Sequence, residues 1–503
     1  MSALSHVALR EAAFSYGSDA EPIFDHFTAH FPQGFTGIVG ANGAGKSTLL
    51  RIITGQLKPT AGFREGPLTA AYCAQRTDTP PESLVAFLED WDAETCRLKS
   101  RLDVPFDAHE RWTTLSHGER KRVQIAQALW QSPSILAIDE PTNHIDAPAR
   151  ALLIDALRAF TGIGILVSHD RELLDALCDR CVWLEPPKAQ IYVGGISEAL
   201  SQRQQDAETA LATRSKLVAA HRHLRGAAMV RREQASREHQ RRSKRQLSKK
   251  DSDARDKINR ARVTDGNAGS QLRQVSGRLA QLEAALADTE VAKTHSTGIW
   301  LGSAISQRNA VLSLPPGNLT ISAERSIEWP TIHIGPQQRI AITGSNGVGK
   351  STLLEHWLSR INLPPEHIIF LPQEITSSAA KDMLETCRAL PNEALGQVMN
   401  IVSRLNSRPE RLLNTQEPSP GEVRKLAIGL GILGTPQVIV MDEPTNHLDL
   451  PSIEALEGAL RDVPCALLMV SHDERFIEAV GAQRWSLRLE DAGVAILAVD
   501  QRV

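Results

Sequence analysis

The sequence predicts an α/β protein in which one P-loop domain, built on a parallel sheet, occurs twice with an α-helical hairpin between the copies. Three observations carry that expectation. The chain repeats itself over a long period; its apolar runs end in phosphate-loop glycines or paired carboxylates; and the segment between the copies is basic and free of proline. At 503 residues the chain is too long for one ordinary core and sits in the range of two to four domains.

The repeat comes first, because it fixes the domain organisation. Gly40-Ala-Asn-Gly-Ala-Gly-Lys46-Ser-Thr48 recurs as Gly344-Ser-Asn-Gly-Val-Gly-Lys350-Ser-Thr352, an offset of 304. Ile138-Asp139-Glu140-Pro-Thr-Asn-His-Ile-Asp146 recurs as Met441-Asp442-Glu443-Pro-Thr-Asn-His-Leu-Asp449, an offset of 303, and Val167-Ser-His169-Asp recurs as Val470-Ser-His472-Asp at the same offset. Both copies also separate the aspartate from the histidine by 30 residues. Unrelated matches cannot hold order and spacing together. The domain reading is therefore 1–199 for the first copy, 200–297 for a linker and 298–503 for the second copy.

Each copy carries the parts of a phosphate site. Ile38-Val39-Gly40 and Ile342-Thr343-Gly344 end apolar strands, and Ser-Thr-Leu-Leu opens a helix after each loop. Glycines Gly40, Gly43 and Gly45, with Gly344, Gly347 and Gly349, let backbone N–H groups wrap phosphate at a helix terminus; Asn42 and Asn346 lie within the loops. Lys46 and Lys350 are placed for the β- and γ-phosphates, and Ser47 and Ser351, followed by Thr48 and Thr352, offer hydroxyls to Mg²⁺. The runs 135–140 and 438–443 read as buried strands that present two acids at their carboxyl ends. Asp139 and Asp442 suit the metal's water shell, and Glu140 and Glu443 suit polarisation of an attacking water.

The segment between the copies is chemically different. Residues 221–262 hold fifteen Lys or Arg against five Asp or Glu, within a chain of net charge −3. Such a run points to an anionic partner. From Leu200 to Lys250 there is no proline and one glycine, Gly226, which predicts a helix roughly 70 Å long. A turn cluster at 265–269 follows, and then Leu272, Val275, Leu279, Leu282 and Leu286 keep heptad spacing. The expectation is an antiparallel helical hairpin; a solvated charged connector is the plainer alternative. Phe, Trp and Tyr are absent from 201–298, so base stacking is not its mode of contact. Arg241, Arg242, Lys244, Arg245, Lys249 and Lys250 form the densest basic run, suited to phosphate on folded RNA.

Composition excludes several classes. Hydrophobic residues at 42% and charged residues at 23% fit a globular protein, and no window approaches the roughly 20 apolar residues of a membrane span. The start of the chain lacks a secretory pattern, so a cytoplasmic location is expected. Six scattered cysteines suit a reducing compartment, with the lone Cys178/Cys181 pair read as small core residues.

Here the residues resemble a known family. Leu115-Ser116-His117-Gly118-Glu119-Arg120, with its serine 23 residues before Asp139, resembles the ATP-binding-cassette signature, and Ser419-Pro420-Gly421-Glu422 stands at the same spacing before Asp442. Gln75 and Gln373 match the family's Q-loop, His169 and His472 its switch histidine, and Tyr16 the aromatic that stacks on adenine. The resemblance implies a RecA-like core plus a helical subdomain in each copy. It implies Q-loop contact with Mg²⁺ and the lytic water, and histidine contact with the γ-phosphate. The cassettes would close head to tail over two ATP molecules within one monomeric chain. Site 1 would pair the Lys46 loop with Ser419 and Gly421, and site 2 the Lys350 loop with Ser116 and Gly118. The sequence departs from the family at His117 and Pro420, where glycine is usual, at Pro418, and near Thr320, where no aromatic matches Tyr16.

The run Glu-Pro-Thr-Asn-His-Ile/Leu-Asp in both copies is similar to that of the ABC-F proteins, soluble tandem cassettes with a charged helical linker. That resemblance implies ATP hydrolysis with Mg²⁺ and action on the ribosome near the exit tRNA site, the linker reaching rRNA and tRNA. The alternative is the cytosolic ATPase subunit of a transporter, whose cassettes lack the Asn-His-Ile/Leu-Asp run and the basic hairpin. A DNA-repair cassette ATPase would carry zinc cysteines, and a pure ATP clamp would not need both glutamates. Forty residues separate Gln75 from Leu115 and 31 follow His472, which leaves little room for an inserted arm or a C-terminal coiled coil. A housekeeping translation factor and a ribosome-protection protein both fit the residues.

Overall fold

Five-residue apolar strands with every residue buried, such as Ile135–Asp139 and Val438–Asp442, can only lie inside a sheet covered on both faces. The computed structural model describes residues 6–17, 22–142, 145–186, 188–243, 275–286, 304–322, 325–415, 417–490 and 493–499. In the first repeat the order is β1 His6–Phe14, β2 Phe24–Pro32, β3 Gly34–Gly40, α1 Lys46–Ile53, β4 Ala61–Glu65, β5 Ala70–Cys73, α2 Leu84–Glu89, α3 Ala93–Arg101, α4 His117–Trp130, β6 Ile135–Asp139, α5 Ala147–Arg158, β7 Ile163–Val167, α6 Arg171–Leu177, β8 Cys178–Glu185 and β9 Lys188–Val193. The helix α7, Ile196–Ser243, and α8, residues 275–286, follow. The second repeat runs β10 Leu312–Leu314, β11 Gly317–Ser322, β12 Arg325–Trp329, β13 Ile332–Ile334, β14 Arg339–Thr343, α9 Lys350–Leu358, β15 Ile368–Leu371, α10 Ser377–Arg388, α11 Asn392–Arg404, α12 Pro409–Asn414, α13 Pro420–Ile432, β16 Val438–Asp442, α14 Leu450–Arg461, β17 Ala466–Val470, α15 Glu474–Ala479, β18 Gln483–Leu489 and β19 Val494–Val499.

The two main sheets share one strand order. It is β5-β6-β7-β3-β8-β9 in the first repeat and β15-β16-β17-β14-β18-β19 in the second, parallel except for the last strand of each. The phosphate loops leave the inner strands β3 and β14, each paired on both sides, at the carboxyl end where open α/β sheets bind ligands. The amino-terminal hairpins differ. In the first repeat β1 and β2 join β4 in a separate three-stranded sheet, whereas β12 pairs with β19 and extends the second main sheet to eight strands. Side chains alternate across the sheet: Ile340 and Ile342 enter one core cluster with Trp357 and Trp485, and Ala341 enters the other with Met441 and Leu456. A smaller cluster of Leu384, Cys387, Val398, Val402, Leu412 and Leu426 holds α10 to α13 together as a helical subdomain. Cys178 and Cys181 are buried free thiols, as their reading as core residues expected.

Residues 1–199 and 297–503 form one compact unit, so the two repeats pack against each other. Arg171 of α6 meets Glu457 of α14 at 2.5 Å, with side chains only 8% and 10% exposed. Arg475 of α15 pairs with Asp175 and bonds the Ser197 hydroxyl at 2.7 Å. The Asp175 carboxylate also accepts the Ser197 amide at 2.9 Å, so both repeats hold the first turn of α7.

Residues 200–296 form the second unit. The helix α7 is 48 residues long, and α8 meets it where His221 Nε2 lies 3.2 Å from Glu283 Oε1. Val275 is buried and Leu279, Leu282 and Leu286 are half-buried, while most residues between them are exposed. The heptad is therefore one helix face, which a solvated connector would not produce. Leu272, the turn cluster, Lys244, Arg245, Lys249 and Lys250 lie outside the described residues. Arg241 and Arg242 fall in the last turn of α7, and their side chains lie outside the description as well. Among the described residues no helix is long and apolar enough to cross a membrane.

Candidate functional site

Two cavities lie between the repeats, one on each phosphate loop. The first, about 750 Å³, is lined by Tyr16, Asn42, Gly43, Gly45, Lys46, Ser47, Thr48, Gln75, Asp139, Glu140 and His169, and is faced by Ser419 and Gly421 from the second repeat. That is the set expected for site 1. The second, about 450 Å³, brings together Asn346, Gly347, Gly349, Lys350, Ser351, Thr352, Gln373, Asp442, Glu443 and His472. Its facing wall is made by Thr142, Ile145, Arg150, Asp170, Arg171 and Glu172 of the first repeat. Among the described residues that line it, Ser116, Gly118 and Glu119 are missing. His117, beside Ser116, lines the first cavity instead. The signature expected at site 2 is thus not brought to the Lys350 loop in this arrangement.

The loops are built from backbone geometry. Gly45 and Gly349 cap α1 and α9 in the left-handed region, φ 90° and 105°. A Cβ at Gly45 would come within 2.4 Å of Ile23, so glycine is required on two grounds. Gly40 and Gly344 lie beneath the loops, their carbonyls accepting from Lys46 Nζ and Lys350 Nζ at 2.8 Å each. Burial lowers the pKa of both lysines, while the acids nearby act against it.

Both glutamates sit in strained backbone. Glu140 has φ 46° and Glu443 φ 47°, a region that costs a non-glycine residue about 1–3 kcal/mol. Each is locked there by its amide, which donates to Val167 or Val470 at 2.8 Å, on the strand that leads to the switch histidine. His169 Nε2 stands 3.1 Å from Glu140 Oε1, and His472 Nε2 stands 3.4 Å from Glu443 Oε1. Burial pushes Glu140 up to about 8 and Glu443 up to about 7. Burial, aided by the neighbouring lysine, pushes His169 well down and His472 down to about 4. The strain was not legible in the sequence; the duplicated Asp-Glu pairs gave only its location.

The acidic ends of β6 and β16 fit a divalent cation. Asp442 Oδ1 is buried with no hydrogen-bond partner, and the Ser351 hydroxyl bonds the same carboxylate. A hard cation seeks such oxygen donors. At the first site Tyr72 donates to Asp139 at 3.2 Å, whereas Phe370 stands at the matching place in the second.

The signature segments are helix N-termini. Ser419 caps α13 in a reciprocal box with Glu422, and Ser116 caps α4 with Glu119. His117 and Pro420, the departures from glycine, occupy the first helical position, where proline's fixed φ and missing N–H are tolerated. Gly421 lies against the opposite loop: a Cβ there would meet the His447 carbonyl at 2.5 Å and Asn42 Nδ2 at 3.4 Å.

Sequence reasoning missed the residues that cross between repeats. Asp449 Oδ2 accepts the Asn42 amide at 2.7 Å, and Asp146 Oδ2 accepts the Asn346 amide at 3.1 Å. Their place after each Asn-His-Ile/Leu pair was the available signal. Ile321, one residue after Thr320, lines the second cavity. Tyr16, 63% exposed, lines the first and bonds Thr48 Oγ1 at 2.9 Å.

Two phosphate loops, each facing the other repeat across a buried glutamate and histidine, define a tandem ATP-binding-cassette ATPase. The family model described as ABC transporter matches residues 27–143 and 330–446. The Bacillus subtilis ribosome protection protein VmlR is 29% identical over 92% of this chain and 84% of its own length. The Staphylococcus epidermidis erythromycin resistance ATP-binding protein MsrA is 27% identical over 90% and 91%. Over most of its length the chain is similar to ABC-F proteins, the Arabidopsis thaliana ABC transporter F family member 5 among them, at 26% identity over 88% of this chain and 69% of that one. Among solved structures, RNase-L Inhibitor shares the fold, with a TM-score of 0.62 at 18% identity over 97% of this chain and 90% of that one.

Proposed function

We propose that this ATPase acts on the ribosome, entering near the exit tRNA site and touching rRNA and tRNA through its basic linker. The observation that carries the reading is the joint at Ser197, where Asp175 of one cassette and Arg475 of the other hold the root of a 48-residue helix that leads to the basic run. The run from Arg241 to Lys250 supplies cations suited to phosphate. Similarity to a ribosome protection protein over 92% of the chain supports the partner. Similarity to an erythromycin resistance protein favours protection from an antibiotic over a housekeeping role.

In the mechanism proposed, the loops at Lys46 and Lys350 hold the phosphates, and Ser47, Asp139 and Gln75, or Ser351, Asp442 and Gln373, would hold Mg²⁺. When bound, the cation neutralises phosphate charge. Glu140 and Glu443 polarise the attacking water, with His169 and His472 at the γ-phosphate. The protein works in the cytoplasm as a monomer that closes its own cassette sandwich. Replacing Glu140 and Glu443 by Gln keeps the shape but removes the ionisable carboxyl that can take up the water's proton. Turnover should fall by roughly 100-fold or more while ATP still binds, and the variant should co-sediment with ribosomes in ATP and inhibit translation. Wild-type turnover in that variant would reject the carboxylate assignment. Turnover lost with no ATP-dependent ribosome binding would reject the ribosome as partner.

A further inference from the structure

Each signature helix carries a buried cation five residues after its serine, and neither uses a carboxylate as its hydrogen-bond acceptor. Arg424 of α13 is 2% exposed. Its guanidinium donates to the carbonyls of Pro372 at 2.8 Å, Gln373 at 2.9 Å, Asp442 at 3.1 Å, Glu443 at 2.5 Å and Asn446 at 3.4 Å. Lys121 of α4 is 3% exposed and donates to the carbonyls of Ala74 at 2.6 Å and Asp139 at 2.8 Å. Both cations therefore join the same three parts of their own cassette: the signature helix, the segment carrying Gln75 or Gln373, and the strand end carrying Asp139-Glu140 or Asp442-Glu443.

A buried charge that is only there to fill space is poor design, since an apolar side chain of that volume costs less desolvation. Carbonyl dipoles offset the burial, and in return the cation fixes where those carbonyls stand. Arginine spreads five donors over a rigid fork, whereas lysine is a point charge with three. The second cassette is accordingly held at five carbonyls and the first at two.

We propose that Arg424 and Lys121 are positioning residues for hydrolysis: each ties its signature helix to the glutamine and glutamate of its own cassette, and Arg424 carries the placement of α13, which faces the Lys46 loop, to the groups that act on water at the Lys350 loop. Occupancy of site 1 is thereby felt by the water-polarising groups of site 2. The inference rests on the assignment of Gln75, Gln373, Glu140 and Glu443 to the two ATP sites. It deepens that assignment by naming the joint between them.

The test uses the full-length protein and steady-state ATPase kinetics, with melting temperature recorded for every variant. Arg424→Met should lower kcat tenfold or more with KM for ATP within threefold, because groups that act on water are displaced while the phosphate loop is untouched. Arg424→Lys keeps the charge with fewer donors and should recover most of the loss, standing about threefold below wild type in kcat. Lys121→Met should show the same split with a smaller loss. A kcat for Arg424→Met within twofold of wild type overturns the proposal, as does a rise in KM at unchanged kcat. Should Arg424→Met fail to fold, Arg424→Lys decides alone: kcat and KM both at wild-type values reject the joint. Glu443→Gln runs beside them. Full turnover in that variant removes the site assignment and the inference with it, whereas a large loss there beside a silent Arg424→Met removes the inference alone.

Discussion

Tyr16 and Ile321 give the two nucleotide sites different walls. The Tyr16 ring is open to the first cavity, with its hydroxyl fixed on Thr48, whereas the second cavity offers the branched aliphatic Ile321. A base stacked on an aromatic gains roughly 1–3 kcal/mol, and an aliphatic face gives less. Tyr16→Ala should therefore weaken ATP binding at site 1 by about tenfold or more and leave site 2 unchanged, a difference that titration of a fluorescent ATP analogue resolves as two classes of site becoming one. Equal affinities before and after the change would reject stacking at Tyr16. The asymmetry extends to the acids: Tyr72 steadies Asp139, and no such hydroxyl is available from Phe370.

At the scale of elements, the signature segments work as helix N-termini rather than as glycine loops. Ser419 satisfies the Glu422 amide, and Glu422 returns two bonds to Ser419. Ser419→Ala should destabilise the protein by about 1 kcal/mol, read as a lower melting temperature. Ser419→Asp keeps a capping acceptor but cannot donate to the Glu422 carboxylate, and it presents a negative charge to phosphate. That variant should melt below wild type, as Ser419→Ala does, and lose ATP affinity at site 1 by about tenfold or more relative to Ser419→Ala in the same titration. Retained affinity would mean that α13 does not serve the Lys46 loop. The packing of α6 against α14 and α15 serves another purpose. Arg171 with Glu457 and Arg475 with Asp175 keep the cassettes in contact beside, not through, the phosphate loops.

At the scale of the whole molecule, the proposed work depends on the linker carrying charge to RNA. Changing Arg241, Arg242, Lys244, Arg245, Lys249 and Lys250 to Gln or Ser should leave free ATPase within about twofold, because the linker residues 200–296 form a unit of their own. Ribosome binding of the Glu140/Glu443→Gln variant should weaken and lose part of its salt dependence, since each phosphate contact contributes about one unit to that slope. Parallel lines with equal intercepts in a salt titration would reject RNA contact by this run.

Repetition at an offset of 303–304 residues made the duplicated P-loop architecture, the strand ends with paired acids and the helical linker legible, because glycine spacing, apolar period and proline-free length are local properties. Glu140 and Glu443 followed from the same motifs, whereas Gln75, Gln373, His169, His472 and Tyr16 followed from the resemblance to the ATP-binding-cassette family. Tertiary structure alone decided what crosses the chain. Asn42 meets Asp449 across 407 positions and Asn346 meets Asp146 across 200, and nothing in the spacing of either pair encodes the partner. The positive φ of Glu140 and Glu443 also had no signature, since strain at a non-glycine residue is imposed by the neighbouring strand. Arg424 and Lys121 were silent for a related reason: their acceptors are main-chain carbonyls, which every residue carries, so the sequence holds the donor without naming its target.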